Sequence, residues 1–144
     1  MTFAFYDLET TGLWPAYNQP VQFAAILTDD DFNVLKKVNI RCRLSKHILP
    51  SPYALAVTGI SPKKFLDPSL PSWMEFMQQI RKYILDWAPA TWVGYNTINF
   101  DKEFLRQGFY QTLQPKYFSV IRATCSGFYQ YTFQHSNSFE NISG

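Results

Sequence analysis

The sequence predicts a single α/β domain, or a mixed-sheet α+β domain, in which three strands are followed by a helix, a fourth strand and a second helix. The length of 144 residues fits one domain, and 47% of the residues are apolar, which is enough to bury a core and argues against disorder. No apolar run approaches the roughly 20 residues that a membrane-spanning helix needs.

Three extended segments open the chain. Residues 2–8 predict a buried strand that ends before a turn at Thr11 and Gly12, and residues 21–28 and 34–43 predict two further strands. The acidic turn between the last two strands lacks the spacing of an EF-hand, which favours a solvated hairpin turn over a calcium loop.

The helices follow a proline-rich passage. Residues 53–57 predict a short helical segment, and Ser61 is a plausible N-cap before Pro62. The strongest helix spans residues 73–87, where Ser72 begins a capping box with an acid three residues on. Its apolar residues recur at helical spacing and predict a core face: Trp73, Phe76, Met77, Ile80, Ile84 and Trp87. Residues 90–95 predict a fourth strand, and residues from about 101 to 109 predict the second helix.

Composition restricts the functional classes. The net charge of +2 gives no strong field for nucleic acid, but 18% of the residues are aromatic, which indicates a heavy core or stacking surfaces. The two cysteines do not form a spaced framework, and residues 1–9 lack the basic start of a secretory signal. We therefore expect a cytoplasmic monomer without membrane association.

Three acids are the candidate catalytic residues. Asp7 and Glu9 lie two apart at the end of the first strand, so they share one face, where Mg²⁺ would offset the cost of burying both. Taken alone, the pair is better explained by a capping Asp and an exposed Glu. Asp101 opens the last helix and is explicable as a cap, but packing beside the first strand would complete a two-metal site for phosphodiester hydrolysis.

Two segments resemble a known family. Asp7-Leu8-Glu9-Thr10-Thr11-Gly12 resembles the first motif of the DEDD (DnaQ-like) 3′–5′ exonucleases, and residues 94–106 resemble the second. Residues 22–26, 32–34 and 56–60 are similar to the branch that degrades single-stranded DNA. The resemblance covers residues 3–112 well. It implies a ribonuclease H-like mixed sheet flanked by helices, and a Mg-dependent exodeoxyribonuclease of DNA repair that releases 5′-mononucleotides.

The resemblance also implies a set of site residues. Asp7, Glu9 and Asp101 would be catalytic and would bind two Mg²⁺ ions, with Mn²⁺ as an alternative. Glu9 and Thr10 would contact the 3′-terminal nucleotide, and Arg106 would contact the DNA strand unless it is an ordinary exposed helix arginine. The implied partners are single-stranded DNA 3′ ends and a single-strand DNA-binding protein.

An aromatic segment at residues 128–138 is similar to the stretch that lies along the DNA in this family. Tyr129, Tyr131 and Phe133 alternate, so an extended chain presents them on one side, and the resemblance makes Tyr129 and Phe133 stacking residues. A core strand with outward tyrosine hydroxyls is an equal alternative.

The chain departs from the family at two places. Residues 113–127 have no recognisable counterpart, which indicates an insertion or a divergent loop. The third motif, with a His base and a final Asp, has no counterpart either, because His47 lies in the proline-rich passage and His135 matches a non-catalytic position. We therefore expect residues 1–144 to be a partial exonuclease domain, truncated at its C-terminus and without accessory domains, with weak or no activity.

Two other functions stay open at the level of sequence. One is a non-catalytic module that binds single-stranded nucleic acid, and the other is an RNA-trimming or proofreading relative.

Overall fold

The fold is a mixed five-stranded sheet flanked by helices, seen in a computed structural model that describes residues 1–95, 100–115 and 121–125. The strands are β1 (Phe3–Thr10), β2 (Pro20–Thr28), β3 (Val34–Arg41), β4 (Thr91–Tyr95) and β5 (Ile121–Cys125), and their order in the sheet is β3-β2-β1-β4-β5. The first three strands pair antiparallel, whereas β4 lies parallel to β1 and β5 lies parallel to β4. This mixed topology confirms the predicted fold class.

The helices are α1 (Pro52–Thr58), α2 (Trp73–Asp86) and α3 (Asp101–Gln111), and a short 3₁₀ helix covers Pro62–Leu66. The Ser72 hydroxyl and the Glu75 side chain form the predicted capping box at the start of α2. At the start of the 3₁₀ helix, Ser61 occupies the predicted N-cap position and Pro62 follows it, although the Ser61 side chain makes no capping hydrogen bond. The Ser51 hydroxyl instead caps α1 by accepting from the backbone N–H of Ala54.

One face of the sheet forms the core with α2 and α3. The predicted apolar face of α2 is confirmed, because Phe76, Met77, Ile80 and Ile84 are almost completely buried. From α3, Phe104, Leu105 and Phe109 join the same cluster. These contacts fix the position of α3 against the sheet, and with it the position of the residue that opens the helix.

Two boundaries differ from the prediction in ways that matter for the site. Strand β1 extends to Thr10, so both acids of the first motif lie inside the strand and not beyond its end. Residues 121–125 form β5, which pairs with the outer edge of β4, so a loop is the wrong interpretation of that part of residues 113–127. Composition alone did not reveal this short strand, because the pairing edge that β4 offers is a tertiary feature.

In residues 1–95, 100–115 and 121–125, every helix is too short or too polar to span a membrane.

Replacement of Ile80 by Ala should destabilise the fold by about 2–5 kcal/mol, because it leaves a cavity between α2 and the sheet. Ile80 has no accessible surface, whereas Gln78 on the same helix is exposed. The matched variant Gln78→Ala should change stability by no more than about 0.5 kcal/mol. Urea unfolding of both variants checks the expectation, and equal effects would contradict the core described above.

Candidate active site

The site lies at the edge of the sheet where β1 and β4 both end. These two strands are parallel neighbours, so their carboxyl ends share that edge, and α3 begins shortly after β4. The order of the strands changes side here, because β2 and β3 lie on one side of β1, whereas β4 and β5 lie on the other side. In open α/β sheets such a switch point leaves a crevice in which ligands bind.

Strand β1 supplies two carboxylates on the face away from the core. Asp7 pairs with Ala24 and Glu9 pairs with Gln22 across the antiparallel ladder, while the alternate residues Tyr6 and Leu8 point into the core. Asp7 is exposed and Glu9 is half-buried. A register shift follows Glu9, so Thr10 pairs with Pro20, which bends the strand end beside the acids.

Helix α3 supplies the third carboxylate. Asp101 is the first residue of the helix, and the N-cap position belongs to Phe100, whose side chain makes no capping hydrogen bond. Only 4% of the Asp101 surface is accessible. Capping alone does not explain an acid buried to this degree, because burial of a carboxylate without a partner is costly.

The three acids are electrostatically coupled. Burial and the negative charges of Asp7 and Glu9 raise the pKa of Asp101 to about 8. Burial and the charge of Asp7 raise the pKa of Glu9 to about 7, against the opposing effect of Arg41. Asp7 keeps accessible surface, yet the protein around it removes part of its hydration and raises its pKa, which a backbone hydrogen bond from Leu8 partly offsets. The structure therefore brings Asp101 near the Asp7–Glu9 pair.

A divalent cation fits this donor set chemically. Three carboxylates offer hard oxygen ligands, and a cation among them would offset both the burial that raises their pKa values and the repulsion that adds to it at Glu9 and Asp101. In the described part of the chain, however, no three His, Cys, Asp or Glu side chains are grouped closely enough to hold an ion as they stand. Metal binding by Asp7, Glu9 and Asp101 therefore stays a prediction.

The segment after β1 is a turn that is held by hydrogen bonds. The Thr10 hydroxyl donates to the Gly12 carbonyl, 2.8 Å away, and the backbone N–H of Ser51 donates to the Thr11 carbonyl, also 2.8 Å away. A Cβ on Gly12 would lie 2.6 Å from the side-chain oxygen of Asn18, so any larger residue there would displace the Asn18 side chain. Three apolar side chains that follow this turn in the chain are largely in solvent: Leu13, Trp14 and Tyr17.

A row of polar residues beside Glu9 was not predicted from the sequence. The side chain of Gln22 donates to the Asn39 side-chain oxygen over 2.8 Å, and its own oxygen accepts from Arg41 Nε over 3.1 Å. The pattern of β3 could have indicated it, because Asn39 and Arg41 alternate with the apolar residues Val38 and Ile40.

Comparison with known proteins decides the family. The family model described as exonuclease (RNase_T) matches residues 4–136. The chain belongs to the exonuclease family.

Several known proteins are similar to this chain over most of its length. Exodeoxyribonuclease I of Buchnera aphidicola subsp. Baizongia pistaciae is 42% identical over 118 residues, which are 81% of this chain and 24% of that protein. The zinc-bound form of Escherichia coli ExoI with single-stranded DNA superposes with a TM-score of 0.76 at 32% identity, over 86% of this chain and 27% of the other. A complex of ExoI with SSB-Ct gives a TM-score of 0.75 at 32% identity, over 86% and 28%.

These comparisons confirm the predicted exonuclease family and the ribonuclease H-like fold. The chain spans about a quarter of the length of the exodeoxyribonucleases that it matches.

Of the other predicted residues of this exonuclease-family chain, some lie on the surface and some lie outside the described residues. Arg106 is exposed on α3, and its guanidinium donates to the Glu103 carboxylate over 2.7 and 2.9 Å, so its contact with DNA stays a prediction. His47 lies on the surface, as predicted. Tyr129, Phe133 and the rest of the aromatic segment lie outside the described residues.

The elevated pKa of Asp101 predicts that stability falls as pH rises. The folded chain keeps a proton on Asp101 up to about pH 8, whereas the unfolded chain releases it near 3.8. The folded state therefore binds more protons in this interval, and its stability declines between these pH values. Thermal melts in EDTA should show a falling Tm, and Asp101→Asn should flatten the decline. A Tm that falls equally in the variant would contradict the coupling of the three acids.

Proposed function

We propose that this chain carries the metal-binding and substrate-binding part of a 3′–5′ exonuclease that degrades single-stranded DNA to 5′-mononucleotides. The observation that carries the proposal is the electrostatic coupling of Asp7, Glu9 and Asp101 at the shared end of β1 and β4. It is supported by relatives named exodeoxyribonuclease I and by a neighbour described with single-stranded DNA.

The chemistry follows from what these residues can hold. Asp7, Glu9 and Asp101 would bind two divalent cations, Mg²⁺ or Mn²⁺, which when bound supply an activated water and neutralise charge on the scissile phosphate. The carboxylates must lose their protons first, so Asp101 and Glu9 release protons on loading. In the net reaction, water oxygen bonds to phosphorus and the bond to the preceding 3′ oxygen breaks, which leaves a 3′ hydroxyl on the shortened strand.

The turn after β1 is suited to the terminal nucleotide. Trp14 and Tyr17 follow this turn in the chain with 70% and 78% of their surface exposed, and neither ring packs on another among the described residues. Bases stack on such rings with ~1–3 kcal/mol each and without regard to sequence. Thr10, whose hydroxyl donates a hydrogen bond to the Gly12 carbonyl in the same turn, would contact the sugar of that nucleotide.

Single-stranded DNA ends are the proposed substrate and a single-strand DNA-binding protein is a proposed partner. The neighbour described as a complex of ExoI with SSB-Ct supports the partner. Cytoplasmic location and action as a monomer remain part of the proposal.

Divalent metal should raise the Tm of the chain, because a ligand that binds only the folded state stabilises it. The effect of Mg²⁺ or Mn²⁺ should increase from pH 6 to pH 8 as Glu9 and Asp101 lose their protons. Asp101→Asn should remove most of it. Glu103→Gln is the matched control, since Glu103 lies on the same helix but faces Arg106. Thermal melts with and without metal measure this, and an equal metal effect in both variants would refute the site.

Trimming of oligonucleotides tests the activity itself. With a 5′-labelled single strand and Mg²⁺, we expect weak 3′ shortening by this chain that disappears in Asp7→Ala and in EDTA. A DNA strand and an RNA strand of the same sequence should be compared by gel electrophoresis. Faster trimming of RNA would favour an RNA-processing relative, because the 2′-hydroxyl is the difference between them. Binding without trimming that survives both Asp7→Ala and EDTA would favour a non-catalytic module.

A further inference from the structure

Arg41 belongs to a row of polar residues that crosses three strands and starts at Glu9. Glu9 on β1 pairs with Gln22 on β2, and Gln22 pairs with Arg41 at the end of β3. Residues that pair directly across a sheet point to the same face. Arg41 therefore projects from the face that carries the site carboxylates, two strand spacings or about 10 Å away from β1.

The guanidinium of Arg41 is anchored at one nitrogen. Its Nε donates to the Gln22 side-chain oxygen over 3.1 Å, and Gln22 is itself fixed by donating to Asn39. Gln22 keeps only 8% of its surface accessible, so the anchor is buried. This bond orients the planar group and leaves both Nη groups for another acceptor, because each Arg side chain has five donors in a fixed fork.

No acidic side chain in the described parts of the chain neutralises Arg41. Its row contains Glu9, but the two residues form no ion pair, and the ion pairs of the described residues involve other groups. Arg41 is half-buried, so part of its surface is accessible to solvent. Its charge still extends toward the acids, since it opposes the rise in the pKa of Glu9. An oriented, unpaired guanidinium beside carboxylates is suited to bidentate contact with an anion.

We propose that Arg41 binds a backbone phosphate of the nucleic-acid strand whose 3′ end lies at Glu9, and thereby sets the path of that strand over the outer face of β2 and β3. The inference rests on the proposed function, since it requires a strand at the site. A lysine would not replace Arg41 fully, because an ammonium lacks both the Nε anchor to Gln22 and the planar fork.

Equilibrium binding of the full chain to a 5′-fluorescein-labelled oligothymidylate tests the inference. Fluorescence anisotropy in EDTA, where no cleavage occurs, should be measured over a series of NaCl concentrations. Arg41→Ala should weaken binding several-fold and reduce the slope of log K against log salt by about 0.7, the value for one phosphate contact to a single strand. Arg41→Lys should retain the slope but bind more weakly than the wild type.

Lys36→Ala is the matched control. It removes one positive charge from the same strand, but Lys36 pairs with Leu27, whose side chain is in the core, so Lys36 projects from the opposite face. Circular dichroism of each variant excludes unfolding as the cause of weaker binding.

The outcomes are distinct. If wild type binds the oligonucleotide and Arg41→Ala matches Lys36→Ala in affinity and slope, the inference is wrong while the proposed function stands. If Arg41→Ala lowers affinity without changing the slope, Arg41 only supports the fold of the site and the inference is also wrong. If the wild-type chain does not bind the oligonucleotide, the proposed function itself fails.

Discussion

The repulsion among three carboxylates, held together by the packing of α3 on the sheet, is the constraint on which the site depends. Phe104 and Leu105 are buried one helical turn from Asp101. Core packing therefore holds the start of α3 beside β1 despite the unfavourable electrostatics of the three acids. The cost appears as raised pKa values at Glu9 and Asp101. Apolar burial thus supplies the free energy that holds the like charges together, as is common at functional sites.

The two faces of the sheet have different roles. The inner face is apolar and continuous from β3 to β4, and it carries the stability of the fold. The outer face carries Asp7, Glu9 and the hydrogen-bonded row from Gln22 to Arg41. Period-two alternation lets one strand serve both faces, so β1 contributes Tyr6 and Leu8 to the core and acids to the site. The hydrogen-bonded turn at Thr10–Gly12 comes directly after those acids in the chain, and the exposed rings of Trp14 and Tyr17 follow it.

The parts predicted well were those with local signals. The apolar period of α2 and its capping box lie within one segment, and they match the structure. Strand β5 was missed because it forms by pairing with the edge of β4, which no local pattern indicates. Arg41 was also missed, since only the register places it in line with Glu9.

The alternation of β1, the helical period of α2 and the motifs that mark Asp7, Glu9 and Asp101 as candidates could all be predicted from the chain alone, because each lies in neighbouring residues. The shared environment of Asp101 and Glu9, which are more than ninety residues apart, became evident in the folded chain. Separation along the chain carries no information about distance in space until parallel pairing of β1 with β4, and packing of α3 on the core, bring the two segments together.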